Sequence, residues 1–306
     1  MSEPLLTLFT APKSFKNPHI ITIQRNALKS WQALGSEVEI LVMGNDEGIA
    51  EQTQALGIRH LPNVACNSRG TPLVSSMLAL ARENSSSPFF GIVNADIILF
   101  EDVLDSVHSV ARQMQKFLVV GQRYDMEITT ELAAGREAFI NFKNSVKAQG
   151  ILHPPMGSDY FLFPRECFPK IPDFAIGRAG WDNWFIFKSR FEGWAVVDGT
   201  QDVTIVHQNH DYHHLPGGQP HYRQPETRDN VIQGGGEHTI FTLFDAQYEL
   251  ADGKLTRKKK TLKKILRELE ILPLTKFRSH ALGKLFFLVS RPRKAYAELK
   301  HLLKPS

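Results

Sequence analysis

Short apolar runs alternate with amphipathic stretches through the first 120 residues. Five runs have the length and composition of buried strands, at residues 5–10, 38–43, 58–61, 89–100 and 117–120. Apolar positions recur every three or four residues between them, which predicts helices at residues 26–34, up to 56, 73–83 and 103–114. Thr71 suits the N-cap of the third helix and Pro72 its first position. This alternation predicts an α/β fold with a mostly parallel sheet and helices on both faces.

The run at residues 89–100 contains one polar step, Asn94-Ala95-Asp96, within an otherwise apolar strand. Burying an unpaired carboxylate costs several kcal/mol, so Asp96 needs a partner or a cation. A divalent metal at Asp96 is one interpretation. The other is an Asp that caps the following turn, because Asp favours such positions.

Polar residues recur where the predicted strands end. In open α/β sheets the ligand site lies at the carboxyl ends of the strands, near the point where strand order reverses. The residues at these ends are Thr10, Ala11 and Lys13, then Asp46, then Asn94 and Asp96, and finally Arg123 and Asp125. Each suits a turn on its own, but their recurrence predicts a ligand site. No GxGxxG follows the first run and no GxxxxGK[ST] occurs, so we expect neither a dinucleotide site nor a P-loop.

The rhythm changes after residue 128, and a second group of candidate residues follows. A helix-prone stretch at residues 129–147 precedes the segment 157–163, GSDYFLF, which contains Asp159. Gly180-Trp181-Asp182-Asn183 then begins another helix. We expect Asp182 to be exposed on the first turn, where the helix dipole favours a negative charge.

Four of the 12 histidines lie within residues 207–214, directly after two predicted strands at 195–198 and 202–206. His207 and His210 are three apart, which alone is weak evidence for a zinc site. The histidines of a loop can also bond locally. A third interpretation is that one of them joins Asp96 at a single metal. We favour this one, with His207 ahead of His210, because the preceding strand should enter the same region of the sheet.

Composition limits the compartment and the partners. The two cysteines show no CxxC spacing, so we expect neither a disulfide framework nor a thiolate zinc site, and a reducing, cytoplasmic setting. The N-terminus does not have the pattern of a signal peptide, and no apolar run is long enough to span a bilayer.

The net charge of +4 hides an asymmetry, because residues 251–306 contain 16 basic and four acidic residues. Residues 1–250 therefore contain 20 basic and 28 acidic residues, a net charge of −8, so the two parts of the chain should have different partners.

The basic C-terminal tail also contains an amphipathic helical pattern. Basic residues surround an apolar stripe formed by Leu262, Ile265, Leu266 and Leu269. A basic flank beside an apolar stripe is typical of an interfacial helix on anionic lipid, here within residues 255–306. The alternative is that the stripe packs on the rest of the chain or on a second subunit.

The motifs GTPL, NADIIL, GSDYFLF, GWDNW and HQNHDY, within residues 5–250, resemble those of GT-A class nucleotide-sugar glycosyltransferases. The resemblance implies a GT-A-like, Rossmann-related fold in which a DxD-like motif binds Mn²⁺ or Mg²⁺ on the sugar diphosphate. Asn94-Ala95-Asp96 corresponds to that motif, with Asn94 in place of the first acid. The resemblance also implies a late histidine ligand, which is His207 or His210.

The resemblance implies further roles for individual residues. Asp182 corresponds to the catalytic base of inverting members, and Asp159 is the rival. Acceptor contacts would come from Asp159, Trp181 and Asn183, although core packing explains Trp181 equally well. Contacts to the nucleotide sugar would come from Thr10, Ala11, Lys13, Asp46, Arg69, Asn94, Ala95, Asp96 and Arg123.

The expected function is therefore metal-dependent, inverting transfer of a sugar from a nucleotide-diphosphate sugar to a glycan or lipid-linked acceptor. We expect a catalytic domain at residues 1–250, with a nucleotide-sugar half at 1–127 and an acceptor half at 128–250. Residues 251–306 would form a basic helical tail, peripheral on the inner face of the membrane.

Two alternatives remain at this point. A sugar-phosphate nucleotidylyltransferase uses a related sheet, but it requires a Gly-rich basic loop that residues 10–13 do not supply. A scaffold or nucleic-acid-binding protein would act through the tail. It leaves Asp96, Asp182 and the histidines without a role, so we expect no nucleic acid partner.

Overall fold

The computed structural model describes residues 3–210, 224–294 and 296, which form 13 strands and nine α-helices. The strands are β1 (Leu6–Thr10), β2 (Val38–Met43), β3 (Arg59–Leu61), β4 (Phe89–Val93), β5 (Ile97–Leu99), β6 (Phe117–Val120), β7 (Tyr124–Met126), β8 (Ile151–Leu152), β9 (Tyr160–Pro164), β10 (Ala195–Asp198), β11 (Ile205–Gln208), β12 (Tyr248–Ala251) and β13 (Lys254–Arg257). The helices are α1 (Pro18–Gln32), α2 (Ile49–Leu56), α3 (Val74–Asn84), α4 (Asp102–Ala111), α5 (Arg136–Gln149), α6 (Trp181–Glu192), α7 (Pro225–Gln233), α8 (Leu262–Thr275) and α9 (His280–Ser290).

Nine strands form one large sheet in the order β13-β12-β10-β6-β9-β4-β1-β2-β3. Seven of them are parallel, while β9 and β13 run antiparallel to their neighbours. Successive side chains of a strand enter two different cores, because Leu8 packs with α1 and α4 whereas Phe9 packs with α3. The predicted α/β fold, with a mostly parallel sheet and helices on both faces, is confirmed.

The run at residues 89–100, which we expected to be one strand, is two strands in two sheets. β4 ends at Val93, and the N–H of Ile97 donates to the carbonyl of Asn94, 3.1 Å away, which closes a turn over residues 94–97. β5 then enters a small sheet with the order β5-β11-β7-β8. The chain passes in the same way from β6 in the large sheet to β7 in the small one.

Three helices begin at residues other than those predicted. α1 begins at Pro18, not at residue 26, because the Asn17 side chain accepts from the N–H groups of His19 and Ile20. α3 begins at Val74 after Leu73, and Thr71 is not its N-cap. The Asn67 side chain instead accepts from the Thr71 N–H at 3.0 Å. α5 begins at residue 136 instead of 129, after Gly135 with a φ of 102°.

The large sheet continues past residue 250, where we expected the catalytic domain to end. The hairpin β12–β13 turns through Asp252 and Gly253, which have φ values of 52° and 69°. Helix α8 then packs on α6 through buried Ile271 and Leu274. None of the helices in the described residues is long and apolar enough to cross a bilayer.

The side chain of Asn26 joins α1 to the small sheet, and we expect its loss to be costly. Asn26 is fully buried, accepts from the Leu132 N–H at 2.7 Å, and donates to the Thr130 carbonyl and the Gln208 side chain, both at 3.0 Å. Asn26→Ala leaves these partners unsatisfied and should lower the free energy of unfolding by about 3 kcal/mol in urea titrations. Exposed Asn63 is the control, since Asn63→Ala should change it by less than about 0.5 kcal/mol. Equal losses in the two variants would contradict this.

Candidate active site

The candidate site lies where the strand order of the large sheet reverses. β1 pairs with β2 on one side and with β4 on the other, so the carboxyl ends of β1 and β4 flank the reversal. Thr10 ends β1, and Asn94-Ala95-Asp96 follows β4. The polar strand ends that we predicted to form a ligand site therefore include the two at this reversal.

Asp96, His207 and His210 form a cluster whose potential metal-binding atoms all lie within 4.8 Å of one another. Asp96 Oδ2 lies 3.1 Å from His210 Nε2 and 3.9 Å from His207 Nε2. The three side chains that we predicted as metal ligands from two distant segments thus face each other. The other two histidines of this run, His213 and His214, lie outside the described residues.

The small sheet places His207 beside Asp96. In its ladder His207 pairs with Ile97 on β5 and with Asp125 on β7. The next residue, Gln208, is fully buried and donates from its side chain to the backbone carbonyl of Asp96 at 3.0 Å. Strand register therefore sets the distance between the carboxylate and the imidazole.

The cluster fits a divalent metal by its chemistry and its burial. Among the described residues, Asp96 Oδ1 is a buried oxygen without a hydrogen-bond partner. Burial raises the pKa of Asp96, but the hydrogen bond to His210 and the charges of His207 and Lys13 outweigh it, so the pKa lies far below its usual range. A half-buried, ionised carboxylate with an unused oxygen beside two imidazoles is a suitable donor set for a cation.

Asp125 was one of the strand-end residues that predicted a ligand site, but the sequence indicated no individual function for it. Its Oδ1 lies 3.2 Å from His207 Nδ1, on the side of the ring away from Asp96, and its Oδ2 lies 2.7 Å from His153 Nδ1. Burial lowers the pKa of His207, but the Asp125 and Asp96 carboxylates raise it by more. A carboxylate on the second nitrogen orients many metal-binding histidines. Only the ladder between β7 and β11 reveals this pairing.

Arg123 and Asp159, expected to contact different substrates, bind each other. Arg123 Nη1 donates to Asp159 Oδ2 at 2.6 Å, and its Nε donates to Asp125 at 2.8 Å. The Asn94 amide donates to Asp159 Oδ1 at 2.8 Å. Both carboxylate oxygens of Asp159 therefore accept protein hydrogen bonds, which makes it a poor candidate for a base. Arg123 and the Asn94 amide, which we expected to contact the nucleotide sugar, thus donate hydrogen bonds to Asp159.

Asp182 lies in the first turn of α6, but it is partly buried, and our expectation of an exposed, dipole-stabilised carboxylate was wrong. Burial raises the pKa of Asp182 to about 6, with a contribution from the negative charge of Asp159, against the hydrogen bonds from backbone N–H groups. The Gly180 N–H donates to Asp182 Oδ1 at 2.9 Å. Desolvation therefore outweighs the helix terminus at this position.

Trp181 and Asn183, the neighbours of Asp182, have structural partners. Trp181 is only 3% exposed, and its ring packs on Phe161 and Phe185. The ring of Trp181 is therefore enclosed in the core, which agrees with the packing alternative for this residue. The Asn183 amide donates to the Phe241 carbonyl at 2.7 Å.

The remaining predicted contact residues have different surroundings. Lys13 Nζ lies 3.3 Å from His210 Nε2, next to the metal-ligand cluster. Thr10 is buried at the end of β1, and Ala11 is half-buried beside it. Asp46 is exposed after β2, while exposed Arg69 pairs with Asp229 of α7 at 3.0 Å. The structure thus brings Lys13 to the cluster, while the ion pair ties Arg69 to α7.

No protein-family model matches the sequence, and no curated protein matches it. Solved structures similar to the chain include a mannosyltransferase from Pyrobaculum calidifontis in complex with GDP-Man and Mn²⁺, at 15% identity and a TM-score of 0.45. That alignment covers 76% of this chain and 63% of the mannosyltransferase. Another is glucosyl-3-phosphoglycerate synthase from Mycobacterium tuberculosis in complex with Mg²⁺ and UDP, at 16% identity and a TM-score of 0.42, covering 83% and 86% of the two chains. The same enzyme with Mn²⁺, UDP and glucosyl-3-phosphoglycerate gives 15% identity and a TM-score of 0.43, covering 84% and 87%.

Substitutions in the cluster should separate a ligand from a positioning residue. We expect Asp96→Ala to abolish Mn²⁺ binding in titrations followed by electron paramagnetic resonance, because it removes the carboxylate ligand. Asp125→Asn should weaken binding by about 10- to 100-fold, because it alters the partner that orients His207. Exposed Asp105 on α4 provides a matched acid, and Asp105→Asn should bind normally. Wild-type affinity in Asp96→Ala would remove the metal assignment.

Proposed function

We propose that this chain is a metal-dependent glycosyltransferase. It transfers a sugar with inversion from a nucleotide-diphosphate sugar to a hydroxyl of a glycan or lipid-linked acceptor. The observation that carries the proposal is the cluster of Asp96, His207 and His210 at the strand reversal. Asp182 adds a partly buried carboxylate close enough to Asp159 for their charges to interact.

Transfer leaves negative charge on the departing nucleoside diphosphate, and the chain places cationic and metal-binding groups together. A divalent cation held by Asp96, His207 and His210 would supply Lewis-acid stabilisation of the leaving diphosphate. Lys13 would add positive charge for the phosphates, since its Nζ lies 3.3 Å from His210 Nε2. Asp125 would hold the His207 ring with its Nε2 toward the cation.

The donor set favours Mn²⁺ over Mg²⁺. Mg²⁺ prefers oxygen ligands throughout, whereas two of the three protein ligands here are imidazole nitrogens. Asn94 occupies the position of the first acid in a DxD-like motif, and its amide donates a hydrogen bond to Asp159. In the proposed site a second histidine takes the place of the missing carboxylate ligand. Mn²⁺ accepts an imidazole nitrogen in that place more readily than Mg²⁺ does.

Asp182 is the proposed general base. The acceptor hydroxyl must lose a proton as it attacks, and a base with a pKa near the working pH is efficient. A pKa of about 6 leaves Asp182 ionised at pH 7 yet more basic than an ordinary Asp. Asp159 binds Arg123 and Asn94 through both oxygens, so it would hold the site together instead of accepting the proton.

Other residues complete the proposed donor site. Thr10 ends β1, Ala11 follows it, and Asn94 and Ala95 follow β4, so these residues at the reversal would contact the nucleotide sugar. Asp46, exposed after β2, would accept a hydrogen bond from the nucleotide base. Arg69 is a lesser contact because of its ion pair with Asp229.

Donor binding tests the proposal directly. We expect calorimetry to detect binding of UDP, GDP or their sugar derivatives only when Mn²⁺ is present. Asp96→Ala should abolish this metal-dependent binding, whereas Asp105→Asn should retain it. A ligand identified by thermal shift should also raise Tm with concentration. Unchanged nucleotide binding in Asp96→Ala would contradict the donor site.

Asp182→Asn should preserve donor binding but lower kcat by about 10²- to 10⁴-fold, because the amide cannot accept the proton. Glu192→Gln, at the far end of the same helix, is the matched control and should leave kcat unchanged. Transfer is measured by release of the nucleoside diphosphate in the presence of acceptor. Near-normal turnover of Asp182→Asn would pass the base role to Asp159.

The raised pKa of Asp182 also predicts a pH dependence. Protonation inactivates a general base, so activity should reach its plateau above about pH 7, fall to half near pH 6 and then fall about tenfold per pH unit below about pH 5. The kcat/KM profile of the wild type should show this limb. The residual activity of Asp182→Asn should not change in the same range. A wild-type profile that is flat from pH 5 to 7 would contradict the assignment.

A further inference from the structure

Helix α8 presents an exposed apolar stripe that the rest of the described chain does not cover. Leu262, Ile265, Leu266 and Leu269 recur at helical spacing and are between 43% and 73% exposed. The sequence left open whether this stripe packs on the protein or on another surface. In the described structure the stripe faces away from the core.

The opposite side of α8 fixes that orientation. Buried Ile271 and Leu274 pack into the core, and the buried Lys264 Nζ donates to the carbonyls of Phe244 and Ala246 at 2.6 and 3.0 Å. The Arg267 Nε donates to the buried Asp245 carboxylate at 2.7 Å. Rotating α8 to bury the stripe would break these contacts and leave charged groups unpaired.

Helix α9 repeats the pattern and joins the same surface. Its exposed residues Leu282, Leu285, Phe286 and Val289 have the same spacing as the stripe of α8 and are between 43% and 75% exposed. The two helices pack closely, because a Cβ added at Gly283 would lie 2.4 Å from the Leu274 side chain. Leu266 and Leu269 of α8 and Phe286 of α9 line one groove, so the two stripes adjoin on one surface, which we call the α8–α9 face.

A groove of about 650 Å³ between the helices combines apolar and basic residues. Leu266, Leu269 and Phe286 contribute apolar side chains, and Lys263 and Lys294 contribute basic ones. Arg291 also lines the groove, where it forms an ion pair with Glu270 at 2.7 Å. Further exposed basic side chains lie on the same helices or directly before them, namely Lys259, Lys260, Lys276 and Lys284. Apolar stripes with a cationic border match the boundary between phospholipid headgroups and acyl chains.

We propose that the α8–α9 face docks on the surface of a bilayer that contains anionic phospholipid. The 16 basic and four acidic residues of positions 251–306 complement such a surface. A symmetric pair of copies would instead oppose two basic faces, which repel each other. Helices of 14 and 11 residues are too short to span a bilayer, so they would lie in its interface.

Vesicle flotation of the full chain tests the proposal. We expect the protein to float with vesicles of phosphatidylcholine and phosphatidylglycerol, to float less with phosphatidylcholine alone, and to be released by high salt. Leu266→Glu combined with Phe286→Glu should lower the bound fraction at least about tenfold, because it places charge in the apolar stripes. Ile140→Glu on α5 is the matched control, since Ile140 and Phe286 are each 43% exposed.

A second variant tests the electrostatic part separately. Lys259→Gln with Lys260→Gln should weaken partition about fivefold for each charge removed. All variants should keep the Tm and the Mn²⁺-dependent nucleotide binding of the wild type, so a failure of membrane docking is distinct from a failure of the proposed transferase site. Flotation equal to wild type in the Leu266 and Phe286 variant, or none in the wild type, would overturn the proposal. A dimer abolished by that variant, without flotation, would assign the face to a second copy.

Discussion

The pairing of β11 between β5 and β7 is the interaction on which the candidate site depends. β4 ends at the strand reversal and is followed after a short turn by β5, and β6 of the large sheet is likewise followed by β7, so that β5 and β7 both lie in the small sheet. β11 inserts between them and brings His207 level with Ile97 and Asp125. The buried side chains of Asn26 and Gln208 then tie this assembly to α1. Disrupting that pairing would separate the carboxylate from the histidines.

Charge distribution in the site follows from burial. Asp96, Asp125 and Asp159 each lie next to a positively charged or protonatable partner, which offsets the cost of desolvation. Asp182 has backbone N–H partners but also the negative charge of Asp159 nearby, so its pKa rises. Carboxylates in contrasting environments can take different chemical roles within one site. In the proposed function, that contrast would separate the cation ligand Asp96 from the base Asp182.

The C-terminal helices α8 and α9 leave apolar side chains exposed to solvent. Ion pairs of Arg190 with Glu268 and of Arg267 with Asp245 hold α8 on the body of the protein. Those contacts leave both apolar stripes facing outward. The packing that attaches the tail therefore also creates the α8–α9 face, and the tail is continuous with the large sheet through β13.

The sequence by itself determined the α/β class, the bounds of β2, β6 and β10, and the candidates Asp96, His207 and His210. It also determined the charge asymmetry between the body and the tail. These features depend on local periodicity and composition, which short segments carry. Only the tertiary structure decided that residues 89–100 divide between two sheets, since the break depends on pairing with a strand more than 100 residues later. It also decided that Arg123 binds Asp159, that Trp181 is enclosed and that the stripe of α8 is exposed. Partners and burial of this kind arise from contacts between distant segments, and no local pattern encodes them.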